Sequence, residues 1–314
     1  MTTTAIKLRD TKGLSPLPAA LAGERRETSR RSGRLSYYVA GKGEPLLLVH
    51  SINAAGSAYE VKPIFDALVA SRRVYAVDLP GFGFSDRSKR NYSPRLYTDA
   101  ILDMLDVVTS DKGSNAPVDA LAVSLGSEFL ARAAVERPER FRTLSLVTPT
   151  GFDKNSERLL GKPEETRQVP GLYGFFTFPL WSQGIFDLLT SKPSIRFFLR
   201  KTFGSKNYDR GLAEYDYLTT HQPGAKNAPF AFVSGKLFSK DIRSIYQRLS
   251  LPVWMTEATR GDFADFRGAE WVQSQPNWRV VRFDTGALPH FEQPDNFMGH
   301  YRQFLSGAAA NNRA

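Results

Sequence analysis

The sequence predicts an α/β protein built on a mostly parallel, twisted sheet flanked by helices, with a helical insertion. Three observations predict it. Short apolar runs of strand length alternate with helical stretches through short connections, as in a parallel sheet covered on both faces. One such run, Val118–Val123, passes through a turn of the form small-x-Ser-x-small (Ala122, Ser124, Gly126) directly into a helical stretch, Leu125–Arg137. The alternation then breaks from about Phe152 to Gly235, where aromatic residues and proline crowd together, and resumes beyond.

Residues 1–32 are polar and rich in Thr, Ser and Arg, and are expected to form a flexible basic arm able to contribute an edge strand. Arg34–Ala40 alternates as a strand and is turned by Gly41 and Gly43. Pro45–Val49 is continuously apolar, the mark of a strand buried on both faces, and ends in His50–Ser51–Ile52–Asn53. A helix is expected from about Ser57 to Ala70. The next buried strand, Arg73–Val77, leads into a glycine-rich loop, Asp78 to Asp86. A helix with Leu96, Ala100, Met104 and Val108 on one stripe precedes Val118–Val123, and the helix after it carries Phe129, Leu130 and Ala133 on one face. Thr143–Val147 is the following strand, leading to Thr148–Gly151. After the break come a strand at Leu251–Thr256, a helix near Asp265–Ser274, a strand at Arg279–Phe283 and a last helix, Asp295–Leu305. The simplest organisation is a core of residues 33–151 and 236–308, with residues 152–235 inserted after the sixth strand as a helical cap over the carboxyl ends of the sheet.

Composition excludes several classes. The 314 residues are 41% hydrophobic, enough for a sizeable core, and include no cysteine, which removes disulfides, thiol catalysis and cysteine metal sites. The formal charge is +10, yet the basic residues are scattered apart from Arg25, Arg26, Arg30, Arg31 and Arg34. No nucleic-acid motif accompanies them, so the charge reads as solubility or loose attraction to anionic membrane surfaces, not as a nucleic-acid partner. No long apolar run or secretory signal pattern is present, and a soluble cytoplasmic protein is the expectation. No metal-ligand spacing appears, and Gly41–Glu44 is too short to cradle a phosphate, so no metal or other cofactor is expected.

The chemistry gathers at Ser124. A side chain at the apex of so tight a strand-to-helix turn is held in a strained backbone, which requires small neighbours two positions away and pushes the hydroxyl out above the sheet. The N–H of Leu125 then points toward a developing oxyanion near the positive end of the new helix. The plain alternative is a serine that only caps a helix.

With His50 closing its strand, the loop Asp78-Leu-Pro-Gly-Phe-Gly-Phe-Ser-Asp86, the turn at Ser124 and the run Pro289-His-Phe-Glu-Gln-Pro294 in this order, residues 34–306 resemble the α/β-hydrolase fold family, in its lidded branch with a serine nucleophile. The resemblance implies acyl transfer through a Ser124 acyl-enzyme, Leu125 and Ile52 N–H groups as the oxyanion hole, and an acid after the strand at Pro252–Thr256, where Asp262 fits best and Asp265 is the rival. Ser51 stands where the family has glycine. His50 is expected to anchor its loop, and with Asn53, Phe152 and Trp181 it lies where substrate contacts would fall. The base departs from the family: its histidine directly follows a glycine, and Ala287 follows Gly286 here. Three readings stay open. His290, three residues on, serves as base; the base is missing; or another group, water or a lid residue such as His221, substitutes, with His300 a surface residue. The expected function is cofactor-independent cleavage of an ester or related acyl bond of an apolar small molecule, and its alternative is a binding protein with little or no turnover.

Overall fold

A computed structural model describes residues 16–113, 116–155 and 161–311. Its frame is an eight-stranded sheet of strands β1 (Glu24–Arg30), β2 (Gly33–Ala40), β3 (Pro45–Val49), β4 (Arg73–Asp78), β5 (Val118–Val123), β6 (Phe141–Val147), β7 (Val253–Ala258) and β8 (Trp278–Phe283). The spatial order is β1-β2-β4-β3-β5-β6-β7-β8. β2 runs antiparallel to β1 and β4, and all other neighbours are parallel.

β1 is the edge strand that residues 1–32 were expected to be able to contribute, and over its length the chain is ordered in the sheet, not a flexible arm. Residues 1–15 lie outside the described residues, but Glu24–Arg30 pairs with β2 along its full length. Its side chains are charged or small on both faces, so no apolar period announces it, and the charges also shield an exposed sheet edge.

Period-two alternation divides the inner strands between two cores. Leu47 and Val49 of β3 face a cluster with helices α2 (Pro94–Lys112) and α3 (Gly126–Glu136). Leu46 and Leu48 face the other cluster, with α1 (Lys62–Leu68) and the last helix, Pro294–Asn311. Two expected helices shorten. Ser57–Ala70 becomes a 3-10 turn, Ala58–Val61, followed by α1. Of Asp265–Ser274 only a 3-10 turn, Glu270–Ser274, forms, because the Asp265 carboxylate accepts the Arg267 N–H and guanidinium and Gly268 N–H donates to Phe152.

After β6 the chain leaves the sheet and builds the cap from α4 (Leu172–Thr177), α5 (Ser182–Leu189), α6 (Lys192–Phe203), α7 (Arg210–Thr220) and α8 (Asn227–Val233). Phe186, Ala225 and Phe230 form a small core of its own. Ile195, Leu199, Phe203, Leu212 and Tyr215 from α6 and α7 join the cluster under β3, so the cap shares its packing with the sheet layer. Arg87, in the connection after β4, donates to Gly83 O (2.9 Å) and to Thr219 O (2.6 Å), pinning α7 to the core. α9 (Ile242–Gln247) returns the chain to β7, and α10 (Pro289–Glu292) and α11 (Pro294–Asn311) follow β8.

Candidate active site

Ser124 sits between β5 and α3 with φ of 49°, a left-handed backbone that side chains other than glycine rarely adopt. Its N–H donates to Val147 O at 2.8 Å, tying the turn to the end of β6. Ala122 is fully buried, and a Cβ on Gly126 would stand 2.5 Å from His50 O. The small residues that the turn demands are thus fixed by the close approach of α3 to the end of β3. The Ser124 hydroxyl is half-buried and makes no hydrogen bond to any described residue. The N–H groups of Leu125, which caps α3, and of Ile52 likewise donate to none of them. Such a corner leaves the Ser124 hydroxyl and the Leu125 N–H without a partner among the described residues.

The loop after β3 is set by a residue that the sequence reading missed. Glu60 is buried, and its carboxylate accepts Ser51 N–H (2.7 Å), Ser51 Oγ (3.0 Å) and Asn53 Nδ2 (2.6 Å). Asn53 Oδ1 accepts Ala55 N–H at 2.6 Å. Burial pushes the Glu60 carboxyl up from its ordinary value. Serine in place of the family's glycine at position 51 was the available signal, since its hydroxyl needs a partner in a buried loop. His50 is an anchor and not a pocket wall. Its Nδ1 faces Ser51 O at 2.5 Å and its Nε2 accepts Leu79 N–H at 2.9 Å, so both nitrogens are committed. Burial brings its pKa down to about 4.

His290 does not meet Ser124. It lies in α10 with Nε2 bonded to Glu60 O at 2.7 Å, and its Nδ1 is buried without a partner. The ring packs against Phe291 and Phe297, and burial lowers its pKa to about 4. The turn of α10, opened by Pro289, swings the side chain under the 3-10 turn that carries Glu60. Asp262 is also elsewhere. Gly261, at φ of 87°, turns the chain outward, and the Asp262 carboxylate pairs with Lys201 at 2.5 Å in solvent. Asp265 pairs with Arg267, which holds its carboxyl well below the usual range.

Ala287 fills the family's histidine position. Its N–H donates to Thr202 O (2.8 Å), and its carbonyl accepts Thr148 Oγ1 (2.6 Å). Thr148 follows Val147, the residue bonded to Ser124 N–H, so the Ala287 backbone lies one link from the Ser124 turn. His221 bonds Tyr217 O at 2.7 Å and lies tilted against the Tyr217 ring, and His300 packs edge-on against Phe283. None of the four histidines hydrogen-bonds Ser124.

Two residues expected to contact substrate sit otherwise. Phe152 is buried, stacked on Tyr246 and Trp271 behind β6, because the turn at Gly151 sends it back into the core. Trp181 is exposed on the cap, donating Nε1–H to Phe175 O and packing against Phe175 and Phe178. Glu128 on α3 is a second buried carboxyl near the turn, accepting Thr150 Oγ1 (2.6 Å) and Ser239 N–H (3.0 Å), with its pKa raised by burial. No cluster of three or more potential metal ligands occurs among the described residues.

Comparisons with known proteins agree with this architecture. The 2-hydroxymuconate semialdehyde hydrolase of Pseudomonas sp. (strain CF600) is 28% identical over 120 residues, 38% of this chain and 41% of that protein, so the match spans well under half of its length. A pimeloyl-acyl-carrier-protein methyl ester esterase of Nitrosomonas europaea is 24% identical over 265 residues, 82% of this chain and 94% of that one. Among solved structures, the meta-cleavage product hydrolase of Pseudomonas fluorescens IP01 superposes with a TM-score of 0.68 at 18% identity, covering 90% of this chain and 98% of its own, a likeness of fold. Residues 44–224, more than half of the sequence, match the family described as alpha/beta hydrolase fold. With an elbow at Ser124, a sheet in this order and a cap inserted after β6, the chain belongs to the α/β-hydrolase fold family.

Proposed function

We propose that this protein cleaves an ester or related acyl bond of an apolar small molecule, with Ser124 as the attacking hydroxyl. The observation that carries the reading is the left-handed Ser124 backbone, at φ of 49°, directly before α3, with the Leu125 and Ile52 N–H groups bonded to no described residue. A residue held in that region costs on the order of 1–3 kcal/mol, and such strain collects where it presents a reacting group. In the reaction Ser124 Oγ adds to the carbonyl carbon, Leu125 and Ile52 N–H groups hold the oxyanion, and the leaving alcohol departs to give an acyl-enzyme that water hydrolyses. The relatives whose names denote an esterase and a semialdehyde hydrolase support this reaction class.

His290 is not the base in this reading, because its Nε2 is occupied by Glu60 O. The Ser124 proton passes to water, and the reaction is confined to substrates with good leaving groups. General-base assistance is worth roughly 10²–10⁴-fold, which sets the expected deficit. The test is hydrolysis of p-nitrophenyl acetate and butyrate by the chain, by Ser124→Ala and by Ala287→His. Slow turnover that vanishes in Ser124→Ala and rises about 100-fold or more in Ala287→His is expected. A second reading, a member that holds carbonyl ligands without turning them over, is favoured by Ala287 and by the buried His290. It is the better one if neither the chain nor Ala287→His releases p-nitrophenol while both retain an apolar ester.

A further inference from the structure

The cap exposes apolar side chains where a surface is ordinarily polar. Of the nine large hydrophobic residues exposed among the described residues, seven fall between Phe175 and Phe198. Leu180, two residues before α5, is 83% exposed, and Leu188, near its end, 75%. Phe175 and Phe178 lean on Trp181, with ring centroids 5.5 and 4.4 Å apart. Phe197 and Phe198, packed against each other on α6, are exposed as well. Contiguous exposed apolar surface of this kind marks an interaction site.

α6 shows what would cover it. Ile195, Leu199 and Phe203 face the core. Lys192, Arg196 and Arg200 recur every four residues on a second face and line a groove of about 720 Å³ shared with Arg210 of α7. Arg196, Arg200 and Arg210 form no ion pair with any described residue, and Glu214 is the single carboxylate among the lining residues. Lys201, ion-paired with Asp262, lies beside the Phe197 ring at 5.2 Å on the same helix. Neither Ser124, Leu125 nor Ile52 lines the groove.

We infer that this face of the cap docks on an anionic lipid surface. Aromatic and leucine side chains would enter the boundary between headgroups and acyl chains while the arginines meet lipid phosphates, as an interfacial amphipathic helix does. The charge pattern decides for lipid over a second copy of this chain, because two such faces would bring like charges together around the same patch. The inference does not depend on Ser124 being reactive.

Co-sedimentation of the full chain with vesicles tests it. With 30 mol% phosphatidylglycerol in phosphatidylcholine at low salt, binding is expected, together with a blue shift of Trp181 emission and its quenching by brominated acyl chains. Pure phosphatidylcholine or 0.5 M NaCl should weaken binding at least ten-fold. Each cation near an anionic surface is worth about five-fold, so Arg196→Glu with Arg200→Glu should weaken it at least twenty-fold. Leu180→Ser with Leu188→Ser should abolish the blue shift, with an unchanged circular dichroism spectrum in every variant. The proposal is overturned if the chain stays in the supernatant of anionic vesicles at low salt, or if the charge-reversed variant binds as well as the parent. It is also overturned if sedimentation velocity shows a dimer that Leu180→Ser with Leu188→Ser dissolves. Ester turnover, measured in the same preparations, reads the Ser124 chemistry separately.

Discussion

At the scale of single residues, the Ser124 corner exists because its neighbours leave room for it. Gly126 cannot carry a side chain while His50 O stands 2.5 Å from where a Cβ would be. Gly126→Ala must therefore push α3 away from β3. It is expected to cost about 1–3 kcal/mol, the usual penalty of overpacking, and to depress reaction at Ser124 by more than it depresses stability. Urea unfolding and p-nitrophenyl ester turnover of the same samples check both. The histidines give a second residue-scale prediction. His50 and His290 are held with pKa values of about 4, below the ordinary 6.5, so the folded state resists protonation that the unfolded chain accepts. Their contribution is unchanged above pH 6.5 and falls as the pH drops toward 4, by about 1.4 kcal/mol per pH unit for each ring. The buried Glu60 and Glu128 have raised values and act oppositely, stabilising below the unfolded carboxyl range and losing that contribution as pH rises. The histidine part is isolated by following each imidazole by NMR. Neither ring should titrate between pH 7.5 and 5.5, and a midpoint near 6.5 for His290 would mean that it is open to solvent.

At the scale of elements, the end of β5 remote from Ser124 holds an ion cluster that no motif announced. The Asp119 side chain is 1% exposed and accepts Arg142 Nε at 2.9 Å, Thr143 Oγ1 at 2.7 Å and the Arg72 guanidinium. Removing one partner of a buried pair leaves the others uncompensated, typically a loss of 3–5 kcal/mol. Asp119→Ala is expected to lower stability by about that amount, measured by urea unfolding, and to leave the Ser124 reaction unchanged in the fraction that remains folded. The same element shows what was readable in the sequence. Val118–Val123 and the turn after it follow from a continuous apolar run and two small residues, signals that local sterics impose. β1 was less legible, since its pairing is made by backbone groups and its side chains carry no apolar period. The loops after β7 and β8 were least legible. Gly261 and Pro289 redirect Asp262 and His290 through backbone geometry and through contacts with Lys201 and Glu60, residues distant in sequence.

At the scale of the whole molecule, the strand order brings the ends of β3, β5 and β6 together, which is why Ser124 N–H reaches Val147 O and Gly126 approaches His50 O although His50 and Val147 are 97 positions apart. Alternating apolar strands were enough to foresee that sheet and its interruption by a cap. They could not show which way the cap's aromatic residues turn: Phe186 and Phe230 pack inward, whereas Phe175, Phe178 and Trp181 face out. That division depends on where α4, α5 and α8 rest against one another, a tertiary fact. The result is a hydrolase scaffold with its serine corner intact and a methyl group at the position of the family's histidine.

The most direct measurement is the rate at which a fluorophosphonate probe acquires Ser124, followed by intact mass and peptide mapping. Slow labelling of the chain, none at that peptide in Ser124→Ala, and labelling at least 100-fold faster in Ala287→His are expected. Equal rates in the chain and in Ala287→His, or a label carried by any other residue, would contradict the account.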